Sequence, residues 1–269
     1  MAIQATSILA AFVADGRWRA AGHDALYEWF ATIQSIAPWL FVALLALLVA
    51  RGIQLRHRYR AVEALDLAAV ERLRGQVAEA ETRTVGEIGV VVLERSDRHP
   101  AAPWIGAVVF TALASFATVH LLVALPLPAV VLVQLVFGFG MHRLVRASRD
   151  LQRRFVSNQR AAEMAEEQAI QEFHSLGLRE TVARTGVLLF VSLLERQVVV
   201  LADEGIASEV EPDVWVEVDA AILAGAKRGA LEDGLARGVS LVGSILADRF
   251  PAPSGGENQV LDHVIVRRE

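Results

Sequence analysis

The chain has 269 residues, 54% hydrophobic and only 21% charged, with a net charge of −5 and a mean hydropathy of +0.40. A disordered chain is charge-rich and apolar-poor and is excluded; the negative balance argues against nucleic acid as a partner. With no cysteine in the sequence, disulfides, thiolate metal sites and cysteine nucleophiles are excluded as well.

The apolar excess lies in two blocks. Residues 1–28 read as an N-terminal arm: Ile8–Val13 is apolar but short, and no basic residue precedes it, unlike a cleaved signal peptide. No charged residue occurs between Glu28 and Arg51, which predicts a transmembrane helix over 29–51, with Trp29 and Trp39 toward one interface and Arg51 at the other. From His99 to His142 there are 44 residues without Asp, Glu, Lys or Arg, about twice one span. Leu125-Pro-Leu-Pro128 breaks this block, because proline disrupts a helix interior. The expectation is a transmembrane hairpin over 103–144, its helices near Trp104–Leu122 and Val130–Leu144 and free of a polar stripe, with His99 and His142 at the interface.

Arginines flank these blocks: Arg51, Arg56, Arg58 and Arg60 after the first, Arg95 and Arg98 before the second, and Arg143, Arg146, Arg149, Arg153 and Arg154 after it. Basic flanks stay in the cytoplasm. Three spans then place the N-terminus outside and the remaining chain inside, as a multi-pass protein of the inner membrane. Arg51, Arg56, Arg143, Arg146 and Arg149 are expected to fix topology at the lipid surface; the Arg143–Arg154 run could also attract anionic lipid by about 1 kcal/mol per residue, with topology alone the favoured role.

Residues 61–98 and 145–266 read as two parts of one α/β domain interrupted by the hairpin. Asp66 is an N-cap, followed by Ala69, Leu73, Val77 and Ala80 at helical spacing. Gly86–Leu93 is a β-branched run typical of a buried strand. After the hairpin, Ala162, Ala165, Ala169, Phe173 and Leu176 mark an amphipathic helix. Gly186–Leu194 and Gln197–Ala202 are strands joined at Glu195-Arg196, and Asp203-Glu-Gly205 ends the second. Helices follow around Pro212–Gly225 and Leu231–Phe250, with a break at Gly225–Gly229, and a short strand over Val260–Val266 closes the chain. A small sheet sandwiched by helices is the expected fold.

Several segments, taken in order, resemble the TPM domain family. They are Glu81-Thr-Arg-Thr-Val-Gly-Glu-Ile88, Thr185–Arg196, Val198-Val-Val-Leu-Ala-Asp-Glu-Gly-Ile206, Trp215 and Leu246-Ala-Asp-Arg-Phe-Pro251. The likeness covers about Ala61–Val266 without the hairpin. The family includes thylakoid proteins linked to photosystem II repair and many bacterial membrane-associated proteins. The resemblance implies a small α/β sandwich; calcium binding is ascribed to some members and phosphatase activity to a plant member. This sequence departs from the family pattern in its inserted hairpin, in its expected cytoplasmic domain, and in Glu257-Asn-Gln-Val-Leu-Asp262, which lacks the usual proline.

Calcium takes several oxygen ligands. Candidates at strand ends and loops are Glu87, Asp203, Glu204, Asn258 and Asp262, although acidic turn residues of this kind are common without a metal and no EF-hand spacing occurs. No P-loop, dinucleotide fingerprint, nucleophile elbow or histidine pair for zinc is present, so no catalytic residue is assigned. Two functions follow. The first is a membrane-anchored binding, assembly or quality-control module with a membrane-protein partner. The alternative is a metal-dependent phosphohydrolase using the acidic strand ends. Ser192 and Ser254 offer positions for cysteine labelling.

Overall fold

The computed structural model describes residues 47, 50, 65–121, 126–181, 183–252 and 264–267, with the side chains of 116–121 left aside. The expected N-terminal arm, most of the first span and the hairpin tip lie outside these residues. The chain divides into two units, 1–51 with 107–141 and 52–106 with 142–269.

The larger unit is an α/β domain. Its described elements in chain order begin with α1 (Leu67–Glu81), β1 (Glu87–Leu93) and the foot of α2 (Ala101–Leu121). The end of α3 (Leu127–Ala147), α4 (Arg149–Arg154) and α5 (Asn158–Ser175) follow. After a 3-10 turn at Leu178–Glu180 come β2 (Gly186–Ser192), β3 (Gln197–Ala202), α6 (Glu204–Ala207), α7 (Val214–Arg228), α8 (Leu231–Arg249) and β4 (Val264–Arg267). The sheet order is β3-β2-β1-β4; β1 is parallel to β2 and β4, and β2 is antiparallel to β3.

β1 and β2 are buried along their whole length, as continuous Val/Leu runs require when both faces of a parallel sheet are covered. Successive side chains point to opposite faces. Ile88, Val90 and Val92 join Val187, Leu189 and Val191 beneath α1, α7 and α8, while Val91, Leu93, Leu188 and Phe190 meet Ala165, Ala169 and Phe173 of α5. At about 25 cal/mol per Å² of apolar surface, each such side chain contributes roughly 1.5–3 kcal/mol.

Local signals start the helices. Asp66 Oδ1 accepts from the Ala69 amide at 2.6 Å, and the Ser157 hydroxyl accepts from the Arg160 amide. The buried face of α5 begins at Ala161; Ala162 is exposed. The segment after α1 is tied to the end of α8: the Thr84 hydroxyl and the Val85 amide both donate to the Phe250 carbonyl, and the Ala252 amide donates to the Arg83 carbonyl.

In the smaller unit the Gln134 amide donates to the Ser115 hydroxyl at 3.2 Å, Ser115 donates to the Thr111 carbonyl, and Gly138 lies against Thr111. The expectation of no polar stripe is therefore corrected. Thr111, Ser115 and Gln134 form a short seam where α2 meets α3, and isolated hydroxyls and one amide are easily lost among apolar neighbours in a sequence. Polar and small residues of this kind join helices in an apolar medium.

Gly225 also needs correction. A Cβ there would lie 2.5 Å from the Gly234 Cα, so Gly225 lets α7 and α8 approach closely; the break falls at Gly229, in the left-handed region at φ 77°. Gly225→Ala is expected to destabilise the domain by about 1–3 kcal/mol in thermal unfolding. Gly75→Ala, in open space on α1, should leave stability unchanged or raise it by up to about 1 kcal/mol.

Candidate functional site

The carboxyl ends of β1 and β2 converge on a buried polar cluster centred on Glu195. The four-residue turn between β2 and β3 is hydrogen-bonded to the exit of β1: the Leu193 and Leu194 amides donate to the carbonyls of Leu93 and Glu94, both at 3.0 Å. Arg196 takes φ 56° to close the turn. Glu195, 0% exposed, is thereby aimed at the loop leading from β1 into α2.

Both carboxylate oxygens are used. Oε2 accepts from the Ser96 amide at 3.1 Å and from the Ser192 hydroxyl; Oε1 accepts from the Asp97 amide at 3.3 Å and lies 2.6 Å from His99 Nε2. His99 Nδ1 faces Asp97 Oδ2 at 3.5 Å. Burial acts to raise the Glu195 pKa, but hydrogen bonds from His99, Ser192 and the Ser96 amide outweigh it and hold the carboxyl below its ordinary value. α4 supports the same loop: Arg149 pairs with buried Glu94 at 2.6 Å, and the Gln152 amide donates to the Arg98 carbonyl at 2.7 Å.

His99 is 4% exposed and carries φ 45° immediately before Pro100, a strained position for a residue that is not glycine. It belongs to this cluster, which corrects the expectation of an interfacial histidine; a charge-free run cannot reveal that a distant glutamate will be folded against it. His142 stays partly exposed, its ring 4.2 Å from that of Trp104. Ser192 is wholly buried and unsuited to surface labelling; Ser254 lies outside the described residues.

The chemistry follows from the order of the groups. In a nucleophilic triad the histidine lies between the hydroxyl and the acid. Here the carboxylate lies between Ser192 and His99, and all three are buried, so the arrangement fastens a loop by charge-assisted bonds and does not activate the serine.

The predicted ligand residues lie at the opposite end of the parallel strands. Glu87 stands opposite Gly186 in register, and the Gly186 carbonyl accepts from the Asp203 amide at 2.9 Å, so Glu87 and Asp203 flank one strand end. Both are buried, whereas Glu204 is exposed at the start of α6. Asp203 caps α6, with Oδ1 accepting from the Glu204 amide at 2.8 Å and 3.8 Å from Arg184 Nη1. Among the described residues no group of three or more histidines or carboxylates is placed to hold a metal. Asn258 and Asp262 lie outside those residues. Of the predicted lipid-facing arginines, Arg143 and Arg146 are exposed, Arg149 reaches Glu94, and Arg51 and Arg56 are not described.

No family model matches the chain, and no curated protein does. Among solved structures it is similar to the NMR structure of BA42 protein from the psychrophilic bacterium Bizionia argentinensis. The likeness covers 76% of this chain and 95% of that one, with 18% identity and a TM-score of 0.48.

Glu195→Ala, which strands several buried donors, is expected to cost about 3–5 kcal/mol, and Ser192→Ala about 1–2 kcal/mol, in denaturant unfolding. The pH dependence has a definite sign. A depressed folded pKa adds stability above the unfolded carboxylate value, about 4.3, and this is lost as pH falls through the folded value. The stability gap between wild type and Glu195→Gln should therefore be widest near neutrality and narrow in acid.

Proposed function

We propose that this chain is a membrane-anchored, TPM-like α/β module that binds a membrane protein during assembly or quality control. In this reading it is multi-pass in the inner membrane, with its N-terminus outside and its α/β domain in the cytoplasm. The observation that carries the reading is the apolar surface of the helices inserted between β1 and β2. In α2, Ile105, Val108 and Leu113 are 48%, 68% and 53% exposed; in α3, Leu132, Val136 and Phe139 are 62%, 65% and 63% exposed.

Apolar exposure on this scale favours lipid as the medium. Among the described residues α3 is the one helix long and apolar enough to cross a membrane, its best window averaging a hydropathy of 1.6, and α2 adds a shorter apolar stretch over Ala101–Ser115. The seam of Thr111, Ser115 and Gln134 suits two helices paired in lipid. The feet of both helices belong to the domain unit, where Gly106 lies against Val145 and Phe155. Within that unit the Glu195 cluster fastens the loop that leads into α2.

Two measurements test this reading. The cysteine-free chain carrying Glu166→Cys, an exposed position on α5, should resist a membrane-impermeant maleimide in intact cells and react once the membrane is opened. Labelling in intact cells would reverse the orientation. Affinity capture from detergent extracts should yield a membrane-protein partner with the full chain and lose it when residues 145–269 are removed; a partner set unchanged by the deletion ends the assembly reading.

A further inference from the structure

The stretch between Arg196 and Lys227 holds seven acidic residues and no lysine or arginine. Four of them, Glu209, Glu211, Asp213 and Glu217, are exposed around the start of α7, and among the described residues none of these carboxylates has an ion-pair or hydrogen-bond partner. Elsewhere in the domain many acids sit beside an arginine, as in Arg72–Glu232 at 2.6 Å, Arg74–Glu71 at 2.7 Å and Arg267–Glu172 at 3.1 Å, and the exposed acids without a partner among the described residues, such as Glu79 and Asp233, are not grouped in a stretch that lacks basic residues.

Acids near a helix N-terminus complement its dipole, which accounts for Glu217 in the first turn. It also covers Asp213 at the N-cap, though that side chain makes no capping hydrogen bond, but not Glu209 and Glu211, which precede the helix. Apolar side chains stand open among these charges: Val214 is 39% and Val216 63% exposed, while Trp215 packs partly into the core and Val210 is buried. One turn beyond Trp215, the Asp219 Oδ1 atom is buried with no hydrogen-bond partner.

We propose that the face from Glu209 to Asp219 docks a Lys/Arg-rich segment of a partner protein, with an apolar side chain of that segment seated on Val214 and Val216. The assignment rests on charge complementarity: unpaired carboxylates of one sign repel anionic lipid and nucleic acid and attract a basic chain, while the valines supply the dry contact at the centre of an interface. It deepens the assembly reading and depends on it. Membrane proteins concentrate Lys and Arg in the cytoplasmic flanks of their spans, so a basic juxtamembrane segment is the partner chemistry this face fits.

The test uses the full chain in detergent micelles and a short fluorescent peptide of interspersed arginines and leucines. The peptide is expected to bind, to bind less as salt is raised, and to bind at least about tenfold more weakly when its arginines are replaced by glutamine. Glu211→Lys with Glu217→Lys, and separately Val216→Ser, should each weaken binding about tenfold or more without lowering the melting temperature. No binding, or binding that these variants leave intact, overturns the proposal. Self-association that Val216→Ser abolishes, without peptide binding, gives the face to a second copy and overturns it too. In affinity capture, a partner lost on deletion of 145–269 but retained by the double lysine variant overturns this docking face while the assembly reading stands. A partner unaffected by the deletion overturns the assembly reading itself.

Discussion

The structure depends on one constraint: β1 and β2 are parallel neighbours, each apolar on both faces. Parallel strands cannot be joined by a tight turn, so the chain must leave the sheet and return before the pair can form. Everything from Glu94 to Thr185 lies in that crossover, including both apolar helices and α5, the helix that covers one face of the sheet. Val91 and Phe190 take their cover on that face from Ala165, Ala169 and Phe173 of α5, which the crossover carries back to the sheet.

The buried Glu195 cluster follows from the same constraint. A crossover that starts at the carboxyl end of β1 leaves a loop, 94–99, whose amides have no strand to pair with. Buried backbone donors must find partners, and Glu195 supplies acceptors for two of them from the neighbouring turn. The charge can be buried because four donors surround it, two from amides and two from side chains. The strained His99 backbone completes the arrangement, with the imidazole held against the carboxylate. Ser192, Glu195 and His99 form a structural fastening whose composition mimics a catalytic triad without its order.

Much of the domain was legible in the residues. Asp66 as a cap, the continuous apolar runs of β1 and β2, and the helical spacing along α1 and α8 all rest on neighbours within a few residues. The candidate site was less legible, because its members are separated by about a hundred residues and none belongs to a spacing motif. Glu195 reads as a turn residue until the crossover brings Ser96, Asp97 and His99 over it. The acidic candidates show the complementary case: chemistry suggested Glu87 and Asp203, and the register does bring them beside Gly186, but at the amino-terminal end of β1, away from the buried cluster. The sequence places a break over Gly225–Gly229; the break falls at Gly229, whereas the role of Gly225 is set by the Gly234 backbone of another helix.

The sequence by itself determined the α/β class, the two charge-free blocks, the proline break and the acidic stretch before Lys227, since these depend on composition and on neighbours within a few residues. Only the tertiary structure decided which strand ends face the crossover, that His99 is buried against Glu195, that Arg149 turns to Glu94, and that the acids around α7 remain unpaired. Those outcomes are set by strand order and register, and a chain cannot express them until distant segments are in contact.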